Sequence, residues 1–222
     1  PPPRPSDDRF IGDFRLVRKL GEGGMGVVYE AEQQHPRRPV ALKVIRGGAH
    51  VSPDTLKLFQ REAQTLARLR HPGIAALYET GATEEGLHFF AMELVRGSTL
   101  TAWLGQRPAG PLTPHEVKLR LAIFKKICDA VAYAHQKGVI HRDLKPANVL
   151  IPKPTAGSSM QDEVSDVKVL DFGLARITDS DVQATTYVTE MGKIRGTLPY
   201  MSPEQVRCTP DEIDLRTDVY AL

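Results

Sequence analysis

"LGEGGMGVVYEAE", residues 20–32, packs four glycines into six positions and then runs into Val27, Val28 and Tyr29. Gly21, Gly23 and Gly26 match a G-x-G-x-x-G core, which in dinucleotide-binding folds ends a strand and opens a helix whose N-terminus faces a pyrophosphate. This stretch fails that context test, because β-branched and aromatic residues follow the last glycine and favour a strand. The G-K-[ST] ending of a P-loop is missing too. The pattern therefore predicts a glycine-rich hairpin between two strands, "FRLVRKL" and "VVYEAE".

Around that hairpin the composition is ordinary. With 222 residues and a net charge of +2, the chain is long enough to bury a sizeable core and does not look like a nucleic-acid binder. Two cysteines, Cys128 and Cys208, make neither a disulfide framework nor a zinc spacing, which fits a reducing compartment. No stretch approaches the ~18 consecutive apolar residues of a membrane span. The opening "PPPRPSDD" reads as an extended linker, residues 1–9.

From Phe14 to about Met92 the pattern is mostly strand. "PVALKVI" is an apolar run that carries Lys43 where a buried strand rarely holds a charge, so the lysine needs a partner. "SPDTLKLFQREAQTLARLRHPG" supplies a helix with Ser52 as N-cap and Pro53 in the first turn, and Glu62 adjoins its apolar face, where it could meet Lys43. Beyond Arg96 long helices take over. "TPHEVKLRLAIFKKICDAVAYAHQKG" opens on a capping box, Thr113 with Glu116, and ends at Gly138, with Val117, Leu121, Phe124, Ile127 and Val131 as its expected core stripe. A strand-rich part followed by a helical part predicts two lobes with a ligand cleft between them.

Further along stand "HRDLKPANVL" (141–150), "DFG" (171–173) and "SPE" (202–204). With the glycine loop, "VALK" around Lys43 and Glu62 on the following helix, the set and its order resemble the eukaryotic-type protein kinases over residues 10–222, and most of all the bacterial serine/threonine kinases. The resemblance implies a bilobal α+β fold, with an N-lobe at 10–95 and a C-lobe at 96–222 that stops as its central helix begins near Asp218. It also implies a cytoplasmic ATP- and Mg²⁺-dependent enzyme acting on protein substrates, itself included through self-association, with room for a membrane anchor outside this segment.

Roles follow from the same resemblance, and they suit a reaction that needs positioning and charge neutralisation more than covalent chemistry. Leu20, Gly21, Glu22, Gly23, Gly24 and Gly26 would fold over the phosphates of ATP, glycine backbones coming closer than side chains permit. Val28, Ala41 and Leu150 would sandwich adenine, Met92 would act as gatekeeper, and the backbones of Glu93 and Val95 would bond its edge. Lys43, oriented by Glu62, would hold the α- and β-phosphates. Asp143 would accept the substrate hydroxyl hydrogen, Lys145 would sit against the γ-phosphate, and Asn148 and Asp171 would bind Mg²⁺. His141 would be structural, in a spine with Leu66, Leu77 and Phe172.

Ser202 replaces the usual alanine before Pro203, and "PKPTAGSSMQDEVSD" (152–166) lengthens a normally short turn. Arg142 is expected to pair with a phosphate on Thr189, Thr186 or Thr185. Two other readings stay open: a kinase-shaped scaffold without transfer activity, and a small-molecule phosphotransferase.

Overall fold

The computed structural model describes residues 10–23, 26–45, 65–83, 86, 88–107, 110–153, 164, 167–172, 198–207 and 209–222. They fall into two compact units, one within Pro1–Leu56 and Leu77–Leu94, the other within Lys57–Ala76 and Val95–Leu222.

The first unit is a six-stranded antiparallel sheet built from β1 (Phe10–Ile11), β2 (Phe14–Gly23), β3 (Gly26–Gln33), β4 (Arg38–Ile45), β5 (Leu77–Ala82) and β6 (His88–Glu93). Its spatial order is β1-β2-β3-β4-β6-β5. The glycine-rich stretch forms the expected hairpin, with Gly21 opposite Val28 and Gly23 opposite Gly26. Strand side chains alternate between faces, so the register separates two sets of residues. Phe14, Ala31, Val40, Leu42, Phe89 and Ala91 pack as a core on one face, where the Phe14 and Phe89 rings meet edge-on at 5.2 Å. The other face carries Val28 opposite Lys43, and Ala41 opposite Met92.

In the second unit α1 (Leu100–Gly105) and the long α2 (Pro114–Gln136) flank a small sheet of β7 (Gly97–Thr99), β8 (Val149–Pro152) and β9 (Lys168–Val169). Two short helices follow, α3 (Pro203–Val206) and α4 (Leu215–Ala221). As expected, the Thr113 hydroxyl caps α2, accepting from the Glu116 amide at 3.2 Å. At the other end Gly138, with φ of +74°, turns the chain.

The core stripe of α2 differs from the sequence reading. Ile127 and Val131 are buried as expected, but Leu119, Ile123, Ala130 and Ala134 complete the buried row, while Leu121 is 61% and Phe124 44% exposed and Val117 is exposed too. At 100° per residue these are two apolar rows lying roughly 100° apart around the helix, so periodicity alone supports either. Tertiary packing chooses: the 65–75 segment runs alongside, so that a Cβ on Gly73 would lie 3.3 Å from that of Ala130.

Gly26 is required by the sheet. A Cβ there would lie 2.0 Å from the Val44 carbonyl oxygen, at a φ of +151°, whereas among the described residues nothing approaches the Cβ positions of Gly21 or Gly23 within 4 Å. Gly26→Ala should therefore lower the unfolding free energy by about 1–3 kcal/mol, the cost of overpacking. Gly21→Ala should leave it within about 0.5 kcal/mol, as for a surface substitution. Chemical denaturation of the two variants checks the contrast.

Candidate active site

The loop from Gly138 to Asn148 is shaped by one buried carboxylate. Asp218, on α4, is 1% exposed. Its oxygens accept from the His141 amide at 2.8 Å, the Arg142 amide at 2.9 Å and His135 Nε2 at 2.7 Å. Consecutive amides converge on one anion only if the backbone curls around it, and Arg142 accordingly takes the left-handed φ of +67°.

His141 is wholly buried and both ring nitrogens are engaged. Nδ1 accepts from the Asp143 amide at 3.2 Å, which puts the proton on Nε2, and Nε2 donates to the Leu170 carbonyl at 2.8 Å. No nitrogen is left to take a proton from a substrate, so His141 is structural, as expected. Burial is the main cause that pushes its pKa below the ordinary histidine value, and its ring packs against Phe172 at 4.7 Å.

Beyond this frame the Asp143 carboxylate is largely covered, its side chain 17% exposed. Lys145 Nζ donates to both oxygens at 2.8 Å, and Asn148 Nδ2 donates to Oδ2 at 3.1 Å and to the Asp143 carbonyl at 2.8 Å. Asn148 sits in a 3₁₀ turn, Pro146–Asn148, and its backbone carbonyl receives the Leu170 amide at 2.8 Å. That bond fixes the approach to Asp171, itself left-handed at φ +60°. With its Nδ2 committed to Asp143, Asn148 turns its Oδ1 to the other side of the amide, away from that carboxylate. An amide oxygen and the Asp171 carboxylate are hard donors that fit Mg²⁺.

In the first unit, Lys43 is only 6% exposed and shares a sheet face with Val28, Ala41 and Met92. Leu20 and Glu22 lie exposed on β2, Glu93 ends β6 opposite Val40, and Val95 is half-buried just beyond β6. In the second unit Leu150 is half-buried in β8. Among the described residues nothing lies within 4 Å of the Cβ positions of Gly21 and Gly23, and a glycine backbone lets a polyanion come close. Glu62, Gly24, Gly173, most of the 152–166 insertion, and Thr185, Thr186 and Thr189 lie outside the described residues.

A family model described as the protein kinase domain matches residues 14–222. The chain belongs to the protein kinase family. It is 40% identical over 225 residues to the serine/threonine-protein kinase PknB of Mycobacterium leprae, covering 100% of this chain and 32% of that protein. To pkn3 of Myxococcus xanthus the identity is 38%, covering 98% and 38%, and to PrkC of Bacillus subtilis 36%, covering 96% and 30%. The chain thus spans about a third of these curated relatives. The crystal structure of the PknI kinase domain of M. tuberculosis superposes with a TM-score of 0.67 at 27% identity, over 96% of this chain and 70% of that one. Protein kinases as a family use ATP and Mg²⁺, and the fold is theirs.

Sequence reasoning missed Asp218. Its signal was a lone acid amid "RTDVYAL", read only as the start of a helix; its partners lie 76 to 83 residues upstream, too far for any local pattern to reveal.

The depressed pKa of His141 gives stability a definite pH dependence. Unfolded, this histidine binds a proton below about pH 6.5, while the folded site resists it. Its contribution is thus fully present above that pH and is lost as pH falls through it. Unfolding free energy should decline between about pH 7 and 5. His71, also held low by burial, adds in the same direction, so the difference between wild type and His141→Gln isolates His141. Equal slopes in the two proteins would contradict the assignment.

Proposed function

We propose that this chain is the catalytic domain of a serine/threonine protein kinase that transfers the γ-phosphoryl group of ATP to hydroxyls of protein substrates. The single observation that carries this reading is Asp143, whose carboxylate is held at both oxygens by Lys145 and again by Asn148. Such a carboxylate is placed to accept the hydrogen of an incoming hydroxyl, and the Lys145 ammonium beside it can meet the charge of the transferred group. Lys43 would hold the α- and β-phosphates with Glu62 orienting it, and Asn148 Oδ1 and the Asp171 carboxylate would hold Mg²⁺, which would supply charge neutralisation for the phosphates. Gly21, Gly23 and Gly24 cover the phosphates. Val28, Ala41, Met92 and Leu150 contact adenine, and the Glu93 and Val95 backbones bond its edge.

Serine and threonine are favoured as acceptors by Lys145 after "HRDL" and by Thr197 in "GTLPY", features that resemble that class, and by the relatives' names. In this reading residues 10–95 and 96–222 are the two lobes, 1–9 a linker, and the domain works in the cytoplasm, where ATP and reduced cysteines are found.

Radiolabelled ATP, Mg²⁺ and a degenerate peptide library offered to the full-length protein test the proposal. Phosphoserine and phosphothreonine are the expected products, and Asp143→Asn should lower the rate by roughly 10²–10⁴-fold, the scale of a general base. Phosphotyrosine as the main product, or a loss under threefold in the variant, would overturn the assignment.

A further inference from the structure

Gln205 lies on α3, three residues after Ser202, and its side-chain amide is committed at both ends. Oε1 accepts from the Ser202 amide at 3.1 Å and from the Ser202 hydroxyl at 3.3 Å. These donors require oxygen on that side, which fixes the amide orientation. Nε2 therefore points the other way, and donates to the Arg142 carbonyl at 2.6 Å.

That carbonyl belongs to the peptide joining Arg142 to Asp143. The N–H of the same peptide is bonded to His141 Nδ1 at 3.2 Å, and the Arg142 amide is held by Asp218 at 2.9 Å. Both peptides flanking a left-handed residue, φ +67°, are thus pinned. Turning the second of them would change Arg142 ψ and Asp143 φ, and so re-aim the Asp143 carboxylate. His141 and Asp218 hold the N–H edges; Gln205 holds the carbonyl edge, and it does so from the Ser202–Val206 segment, whose start is itself buried at Ser202.

We propose that Gln205 is a positioning residue for Asp143: through the Arg142–Asp143 peptide it couples the placement of the "SPEQ" segment to the aim of the transfer base. The proposal rests on the reading of Asp143 given above.

Three variants of the full-length protein separate the two ends of the amide. Gln205→Met loses both, Gln205→Glu keeps the acceptor toward Ser202 but has no donor for the Arg142 carbonyl, and Gln205→Lys keeps a donor and loses the acceptor. The expected result is a kcat three- to tenfold lower for the Met and Glu variants, the span of an ordinary net hydrogen bond. KM for peptide and for ATP should stay within about twofold, and the Lys variant should stay close to wild type in kcat. Amide hydrogen exchange across residues 139–148, followed by mass spectrometry, should quicken in the Met and Glu variants and not in the Lys variant. Exchange reads the loop whether or not phosphate moves, so a wild type that transfers nothing would count against the proposed function while exchange still decides on Gln205. Should the Met variant fail to fold, the Glu and Lys pair decides alone. Equal behaviour of Glu and Lys, an unchanged loop, or kcat and exchange that do not move together would overturn the role.

Discussion

A buried carboxylate must be compensated where it sits, and in the second unit that requirement organises everything around it. Removed from water, Asp218 needs donors on both oxygens, and leaving such a charge unpaired costs several kcal/mol. The donors nearest in space are main-chain amides of the His141–Arg142 stretch and the ring of His135. Once two successive amides aim at one anion, Arg142 is forced into the left-handed region, where a residue with a Cβ pays roughly 1–2 kcal/mol, and the chain leaves the turn with Asp143 facing away from the carboxylate. The hydrogen bonds that compensate the buried charge outweigh the strain, which is why a conformation rare for arginine persists here.

From that turn the constraints run outward by hydrogen bonds of fixed polarity. The Asp143 amide occupies His141 Nδ1, so the ring must carry its proton on Nε2, and that proton reaches the Leu170 carbonyl. Leu170 in turn gives its amide to Asn148. Leu170, the residue before Asp171, is therefore held at both its N–H and its carbonyl, and the Asp143 and Asp171 backbones are tied into one frame through His141 and Asn148. A neutral, buried histidine suits this task because it offers one donor and one acceptor at a set distance; protonated, it would turn the acceptor into a second donor facing an amide.

How much of this was legible in the sequence depends on the range of the interaction involved. The Thr113 cap, the Gly138 turn and the glycine hairpin were readable because each partner lies within a few residues. Lys43 stood out in "PVALKVI" as a charge within an apolar run, while the residues that share its sheet face are set by the register with the neighbouring strands. The buried row of α2 was not, since Val117, Leu121 and Phe124 make as regular a stripe as Leu119, Ile123 and Ile127, and only the neighbouring 65–75 segment distinguishes them. The links from Asp218 and Gln205 to the His141–Arg142 backbone were not legible either: these partners stand more than sixty residues away and are main-chain groups, which leave no mark in residue identity. The glycine loop illustrates the same divide. Gly26 is dictated by the Val44 carbonyl on the adjoining strand, whereas among the described residues nothing lies within 4 Å of the Cβ positions of Gly21 and Gly23, so folding explains one consensus glycine and the proposed cover over the phosphates would account for the other two.

Asn148 shows why the residue types at the site are not interchangeable even when their shapes are. Its amide nitrogen lies against the Asp143 carboxylate and carbonyl, so the oxygen on the same planar group must face the opposite way. Asparagine is thus a donor toward the Asp143 carboxylate with an acceptor on its other side, and exchanging the two ends would lose the donor bonds to Asp143. An aspartate would supply the oxygen but would set a second anion 3.1 Å from Asp143 Oδ2, where like charges repel and one carboxyl must take up a proton. A leucine of similar size would supply neither end, leaving the Asp143 carbonyl short of a donor. A group that is polar in two senses along one axis ties down Asp143 and still carries an oxygen on its far side, as the metal role proposed for it requires, and the bonds it makes follow from the Asp143 turn that Asp218 imposes.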